Sequence, residues 1–421
     1  MASSSEIVIT GAGIVSPIGI GSEPFWTALC EGRSGIRRLS RFDGPSLPPV
    51  IGGEVTDFDP KQYVRPRKSL KVMSRDVQLG FAAADLACVD ARLRETPVDP
   101  ERMGVMLGAD LISCELDELV GTYRKCTVDG RFDFSRWGSA AKAELFPLWM
   151  LKYLPNMPAC HIGIAQDARG PNNTITLGDV STLSALVEAA RVLERGQADV
   201  IIAGGVNSRL HPMLWVRSHV IGQSQRSNDP AAASRPFDAT RDGLVDGEGA
   251  GAFILETRRH AQSRGAKILA RIRGFASVFQ PRSNGQPCQG MAIARAIAGA
   301  LASAGLKPAE LGFVVAHGMS TIDGDRFEAQ AIHDALGDVP VTAPKSYFGY
   351  LGAASGALET AVGLLSLEHG QVPPTLNYEH MDPQCPINVI HGRPLPIERP
   401  TALILSYSPQ GQATALVLAG G

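Results

Sequence analysis

Residues Asp229–Glu256 read DPAAASRPFDATRDGLVDGEGAGAFILE. A glycine-rich approach runs into Gly251–Glu256 (GAFILE), whose apolar residues and short length predict a buried strand. Upstream, Asp199–Gly204 (DVIIAG) is a second strand, and Val180–Gly196 carries a helical pattern. Further back, Arg102–Leu107 (RMGVML) predicts a strand, and alanines and leucines recur at helical spacing over Gln78–Leu93. Glu6–Gly13 (EIVITGAG) is a β-branched run ending in glycines, which opens the sheet.

Downstream, the same order returns. A strand starts near Lys267 (KILARIRGF), followed by a helix over Met291–Ala304, a strand over Gly312–Ala316, and a helix around Gly352–His369. Strands Thr401–Ser406 and Thr414–Ala419 close the chain. Two βαβ-rich halves without a linker predict an internally duplicated, layered α/β fold, divided into residues 1–256 and 257–421. The Pro- and Gly-rich stretches Asp43–Gly53 and Gln280–Gly290 read as loops.

Bulk composition narrows the function. With 421 residues, 44% hydrophobic and 19% charged, the chain is expected to fold throughout around a large core. Lys plus Arg number 40 against 42 for Asp plus Glu, so no global field attracts nucleic acid or an anionic membrane, and an acidic partner needs a local basic patch. The 7 cysteines are scattered and never form a CxxC pair, which argues against a disulfide framework or a zinc site and for a reducing cytoplasm. The N-terminus has no basic start, and no stretch approaches the roughly 20 apolar residues of a membrane span. Gly11-Ala-Gly13-Ile-Val-Ser16 ends in serine where a dinucleotide fingerprint has its third glycine, and no suitably placed acidic residue follows.

Several blocks carry a family resemblance. ITGAGIVSPIG and FWTALCEGRSGI, within Ile9–Ile36, are similar to the opening of fatty-acid and polyketide β-ketoacyl synthases. Asp229–Glu256, with the following HAQSRGAKILARIRGF, tracks the same family. AHGMSTIDGDRFE (Ala316–Glu328) and PKSYFGYLGAASGALE (Pro344–Glu359) resemble its two histidine loops. The resemblance implies a thiolase fold of five layers, α-β-α-β-α, and a dimer of the chain with itself or with an active ketosynthase. It also implies an acyl chain delivered on the phosphopantetheine of an acyl carrier protein, with no other cofactor.

In the family, a cysteine at a helix N-terminus takes the acyl group, its thiol activated by the helix's positive end. The matching stretch here is Gly170-Pro171-Asn172-Asn173-Thr174-Ile175-Thr176-Leu177-Gly178-Asp179, so Asp179 stands in the nucleophile's place. A carboxylate is a poor acyl acceptor and would yield an anhydride, so ordinary condensation is expected to fail. One reading makes Asp179 the cap of the helix that follows; another pairs it with His317 as a general base on a bound thioester.

His317 matches the first family histidine and Lys345 the lysine that organises the site, whereas Tyr350 stands where the second histidine belongs. A phenol can donate one hydrogen bond to an oxyanion or simply fill the pocket. Glu328 also matches the family. The family's glycine-rich gate becomes Ser406-Tyr407-Ser408-Pro409-Gln410-Gly411, which proline should stiffen. Tyr407, Ser408, Pro409 and Glu328 are thus assigned to the substrate pocket. Arg65, Arg67, Lys68, Lys71 and Arg75 form a basic cluster near where relatives dock the carrier, or else a solvated face.

Three functions remain in play. They are a non-condensing partner subunit like a chain-length factor, an enzyme repurposed for another reaction on an acyl thioester, and a binding protein without turnover. Chain-length factors typically carry glutamine at the nucleophile position, so Asp179 departs from that pattern too.

Overall fold

The computed structural model describes residues 6–39, 50–96, 98–218, 222–281 and 289–421. In the first half it contains strand β1 (Ile7–Ser16), helix α1 (Arg75–Asp90), β2 (Met103–Gly108), β3 (Asn172–Ile175), α2 (Ser181–Glu194), β4 (Val200–Ser208) and β5 (Glu248–Thr257). The second half contains β6 (Ala270–Phe279), α3 (Gln289–Ala304), β7 (Phe313–Val315), α4 (Ile322–Leu336), β8 (Pro340–Thr342), α5 (Ser355–His369), β9 (Asn388–Val389), β10 (Thr401–Tyr407) and β11 (Gln412–Gly420).

These strands hydrogen-bond in the order β9-β8-β7-β10-β11-β6-β1-β5-β4-β2-β3. Outward from β1, the pairings are antiparallel to β5, antiparallel to β4, parallel to β2 and parallel to β3. Outward from β6, they run antiparallel to β11, antiparallel to β10, parallel to β7 and parallel to β8. The same pattern therefore occurs twice, and the two sets join where Ile7–Ile9 of β1 lies antiparallel to Ala270–Ile272 of β6.

Three apolar clusters separate the layers. Val77 and Ala83 of α1 pack with Val105, Ile202 and Ile254 on one outer face. Leu186 of α2 and Leu358 of α5 fill the middle with Phe253 and Ile404. Ile293 and Ile297 of α3 and Ile332 of α4 cover the other outer face with Leu405 and Val417. The result is the five-layer α-β-α-β-α arrangement, with α2 and α5 buried between the sheets.

The glycines of β1 serve packing. A Cβ on Gly13 would lie 2.0 Å from the Ala83 carbonyl oxygen, and one on Gly11 2.6 Å from that of Ala87. Bare backbone lets α1 lie directly on the strand.

Element boundaries moved by a few residues from those expected, and some elements were not read in the sequence. Helices Leu116–Cys126, Trp137–Glu144 and Met157–Ala165, strand β3 and helix α4 belong to this group. Of the loop expected over Asp43–Gly53, residues 43–49 lie outside the described residues, and Ile51–Gly53 pairs as a short strand with Ile36–Arg38. Of Gln280–Gly290, residues 282–288 lie outside the described residues, and α3 begins at Gln289.

Candidate functional site

The two central helices begin beside one another. Gly178–Val180 and Gly352–Ala354 each form a 3-10 turn before α2 and α5, and the two turns pack together. The Thr182 hydroxyl donates to the Ala353 carbonyl across this junction at 2.5 Å. Asp179 and Tyr350 both sit at this point, brought together from residues 171 apart in sequence.

Asp179 is buried, and its Oδ1 accepts a hydrogen bond from the Tyr350 hydroxyl at 2.5 Å. The expected helix cap is not formed: Val180 occupies the cap position of α2, and no side chain caps the helix. Ser181 serves the local backbone instead, accepting from the Leu177 N–H and donating to the Gly178 carbonyl. The carboxylate is drawn toward Tyr350 because a buried acceptor is stabilised by a buried donor more than by a partly satisfied backbone. Burial first, then the Asp179 charge, pushes the Tyr350 phenol well above its usual range, so it remains a donor.

Behind Tyr350 stands a group that the sequence did not single out. The Arg209 guanidinium lies over the tyrosine ring, 4.7 Å from its centroid. Its Nε donates to Asp246 Oδ1 at 2.6 Å, and Gln223 donates to the other Asp246 oxygen at 2.7 Å. Burial opposes the Arg209 charge, but Asp246 outweighs it and holds the guanidinium firmly protonated. The Tyr350 backbone is pinned as well, its N–H donating to Val245 and its carbonyl accepting from Gly247. Tyr350 is thus an ordered member of a network rather than filler.

His317 follows the end of β7 and is fully buried. Lys345 Nζ approaches His317 Nδ1 at 2.9 Å and also donates to the His317 carbonyl and to Glu359. With the ammonium's three protons so placed, Nδ1 accepts and the imidazole proton falls on Nε2. Among the described residues His317 Nε2 has no hydrogen-bond partner, and neither has the buried Tyr407 hydroxyl, whose ring packs edge-on against the imidazole at 4.9 Å. Burial disfavours the Glu359 carboxylate, yet the Lys345 ammonium against it holds its carboxyl below the ordinary range. His317 and Asp179 are not hydrogen-bonded to each other: the first belongs to Lys345, the second to Tyr350.

Two anchors set the His317 loop. Glu328 accepts from the backbone N–H groups of His317 and Gly318 at 2.7 and 2.8 Å, and Asp325 accepts from Met319 and Phe237. Burial pushes the Glu328 carboxyl up to about 8. Both Glu328 oxygens are turned to backbone, which makes it a support beneath the loop rather than a wall of the pocket assigned from the sequence.

Tyr407 and Pro409 border a cavity of about 320 Å³ with Met319, Thr321, Gly324 and Phe327. Ser408 is buried and turned away, its hydroxyl and N–H both meeting Gln412 in the β10–β11 turn. Pro409 offers no backbone N–H to this cavity.

Arg65, Arg67, Lys68 and Lys71 lie exposed on and beside the 3-10 turn Arg67–Val72. Arg75 leaves the cluster: it turns inward to Glu248 at 2.7 Å and lies over Phe58. Among the described residues no cluster of His, Cys, Asp or Glu could hold a metal ion, and no helix is long and apolar enough to cross a membrane.

The family models for the N-terminal and C-terminal domains of β-ketoacyl synthase match residues 4–261 and 269–379. This chain belongs to the β-ketoacyl synthase family. It is similar to 3-oxoacyl-[acyl-carrier-protein] synthase 2 of Synechocystis, with 33% identity over 394 residues that cover 92% of this chain and 91% of the relative. In structure it resembles the ishigamide ketosynthase/chain length factor, with a TM-score of 0.86, 27% identity and 100% of each chain covered. It also resembles a type II polyketide ketosynthase solved with its acyl-carrier protein and bound to the hexaketide, with a TM-score of 0.84, 28% identity and 100% of each chain covered. The thiolase fold of this β-ketoacyl synthase relative is thereby established, and its central helix junction is where Asp179, Tyr350 and Arg209 meet.

Proposed function

We propose that this chain is a non-condensing β-ketoacyl synthase homologue that serves as a chain-length-factor-like partner of an active ketosynthase in acyl-carrier-protein-dependent fatty-acid or polyketide assembly. The observation that carries the reading is the Asp179–Tyr350 hydrogen bond at the start of α2. Where the family resemblance puts a thiolate, the chain has a buried carboxylate engaged by a phenol. Acyl transfer to that oxygen would form an anhydride and break the Tyr350 bond, so no acyl-enzyme accumulates.

Features of one sheet edge support this reading: among the described residues strand β3 ends the sheet order with its outer side unpaired, and Ile164 and Leu177 beside it are 80% and 42% exposed. The exposed Arg65, Arg67, Lys68 and Lys71 suit an acidic carrier protein.

Co-expression with an active ketosynthase tests the reading. A mixed dimer whose product length changes is the expected result; a chain that stays a homodimer and leaves the product unaltered overturns it.

A second reading rests on the intact His317–Lys345–Glu359 network, with Nε2 of His317 open. That donor could polarise a thioester carbonyl in hydrolysis, dehydration, decarboxylation or acyl transfer. Turnover of a thioester by the wild type that Asp179→Ala abolishes would favour it.

A further inference from the structure

Two buried donors in contact with each other have nothing to donate to. Among the described residues, neither the Tyr407 hydroxyl nor His317 Nε2 has a hydrogen-bond partner, although the two rings pack edge-on at 4.9 Å. The residues are 1% and 0% exposed, so bulk water does not supply the acceptor. A buried donor left unmatched is a cost to the free protein, and here the cost falls twice in one place. The neighbouring donors are committed elsewhere: Tyr350 to Asp179, and Lys345 to His317 and Glu359. Lys345 holds the imidazole from its Nδ1 side, which leaves the proton on Nε2. Burial foremost raises the Tyr407 phenol well above its usual range and so keeps it protonated.

The tyrosine hydroxyl lies against the 320 Å³ cavity, which Tyr407 lines with Met319, Thr321 and Gly324. A Cβ on Gly324 would stand 3.1 Å from the Tyr407 hydroxyl oxygen and 2.4 Å from Thr321 Oγ1, which places both hydroxyls at the cavity wall beside this glycine. The carboxylates of the cavity, Asp242 and Asp323, stand nearer solvent, with side chains 32% and 71% exposed, and both are engaged. Asp323 accepts from Arg326 at 2.8 Å, and Asp242 accepts the Gln225 N–H at 3.0 Å. Acceptors therefore mark the mouth and donors the inner end. An uncharged oxygen with two lone pairs and no proton complements such an inner end, and in an acyl group that oxygen is a carbonyl.

Resting on the reading of the site as an acyl-thioester pocket, we propose that the Tyr407 hydroxyl and His317 Nε2 form a two-donor clamp for a carbonyl oxygen of the carried acyl group. The oxygen belongs either to C1, the carbonyl joined to the carrier arm, or to C3 of a 3-oxoacyl chain. Either one satisfies both donors and removes the cost that the free protein bears.

Three pantetheine probes test the clamp: an S-butyl thioether without an acyl carbonyl, an amide-linked butyryl analogue with a carbonyl at C1, and an amide-linked acetoacetyl analogue with a second one at C3. Calorimetry compares their affinities for the full chain in the wild type and Tyr407→Phe. The expected result is a loss on the order of 10-fold in Tyr407→Phe for carbonyl-bearing probes, with the thioether unchanged. A loss for both analogues assigns the C1 oxygen, and a loss for the acetoacetyl analogue alone assigns C3. Ligand-free Tyr407→Phe should unfold at no lower temperature than wild type, since it gives up no hydrogen bond. In the wild type itself, isotope-edited infrared spectra of probes carrying ¹³C at C1 or C3 should show the clamped carbonyl stretch at lower wavenumber than in water-free solvent. Equal affinities in wild type and variant, an equal loss for the thioether, a less stable ligand-free Tyr407→Phe, an unshifted stretch at both carbons, or no binding of the acyl probes would each overturn the inference. Pairing with a ketosynthase is read by co-expression, so failure of that reading and failure of the clamp remain distinguishable.

Discussion

Tyr350 shows most clearly how one side chain changes the meaning of its neighbours. Its hydroxyl is the protein donor found on the Asp179 carboxylate, and its ring is the platform for Arg209. Tyr350→Phe keeps the ring and removes the donor, leaving a buried acceptor unsatisfied. The expected loss of stability is about 1–3 kcal/mol, read as a fall in denaturation midpoint. Asp179→Asn, which keeps an acceptor for the phenol, should cost less than Tyr350→Phe. Lys345 is the harsher case. Lys345→Met removes the cation from buried Glu359 and the hydrogen on which the His317 tautomer depends, and should cost about 3–5 kcal/mol. Lys345→Met combined with Glu359→Leu should recover part of that loss, because it removes the stranded charge as well. At this scale the sequence announced Asp179, His317, Lys345 and Tyr350 through their places in matched blocks. It was silent on Arg209, Gln223 and Asp246, because a cation stacked on a ring 141 positions further along the chain leaves no local spacing to read.

Among the elements, α1 and β1 give the most direct tests. Gly13→Ala would drive a methyl group into the backbone of α1, where a Cβ would stand 2.0 Å from the Ala83 oxygen. Because the contact is with backbone on a buried helix, it should cost more than the ~1–3 kcal/mol of ordinary overpacking and show as loss of soluble protein. At the start of α1, Asp76 accepts from the Ser208 N–H at 2.8 Å, and burial pushes its carboxyl up to about 7 from an ordinary 3.8. The native state therefore holds a proton that the unfolded chain releases. Its contribution to stability is present below about pH 4 and is lost as the pH rises toward 7. Asp76→Asn should remove that slope, so its stability relative to wild type should improve between pH 4 and 7, by at most about 1.4 kcal/mol per pH unit. Denaturant titrations across that range measure it.

The central strands and helices α2 and α5 were legible because they are buried almost all round, and the alanine-rich α1 and α3 because their buried faces recur at helical spacing. Helix α4 was not, since its inner face carries Asp325 and Glu328 to hold the His317 loop, and those carboxylates interrupt the apolar stripe. Strand β3, Asn172–Ile175, reads as polar because it is a sheet edge. The helices between Leu116 and Ala165 escaped notice for the opposite reason: Phe134, Met150 and Ile164 are apolar yet exposed.

At the scale of the whole molecule, the repeated strand pattern explains why the site lies at the centre. Each half delivers one buried helix to the middle layer, and the two helix starts meet there. The duplication was visible in the order of strands and helices, but which residues of the two halves would touch was set by packing between them. Under the proposed pairing, the exposed apolar side chains around β3 are the surface that a partner subunit would cover. Ile164→Lys should shift a dimer toward monomer in light scattering while leaving the unfolding temperature of the monomer within a few degrees, since the side chain is 80% exposed.

The central claim is that the scaffold has been kept and the condensing step lost. Its most direct test is to incubate the purified chain with an acyl-carrier-protein thioester and weigh the intact protein by mass spectrometry. The account predicts wild-type protein at its unmodified mass and no elongated product after a carboxylated extender thioester is added. An acyl adduct on the wild-type chain, or condensation by that chain alone, would contradict it.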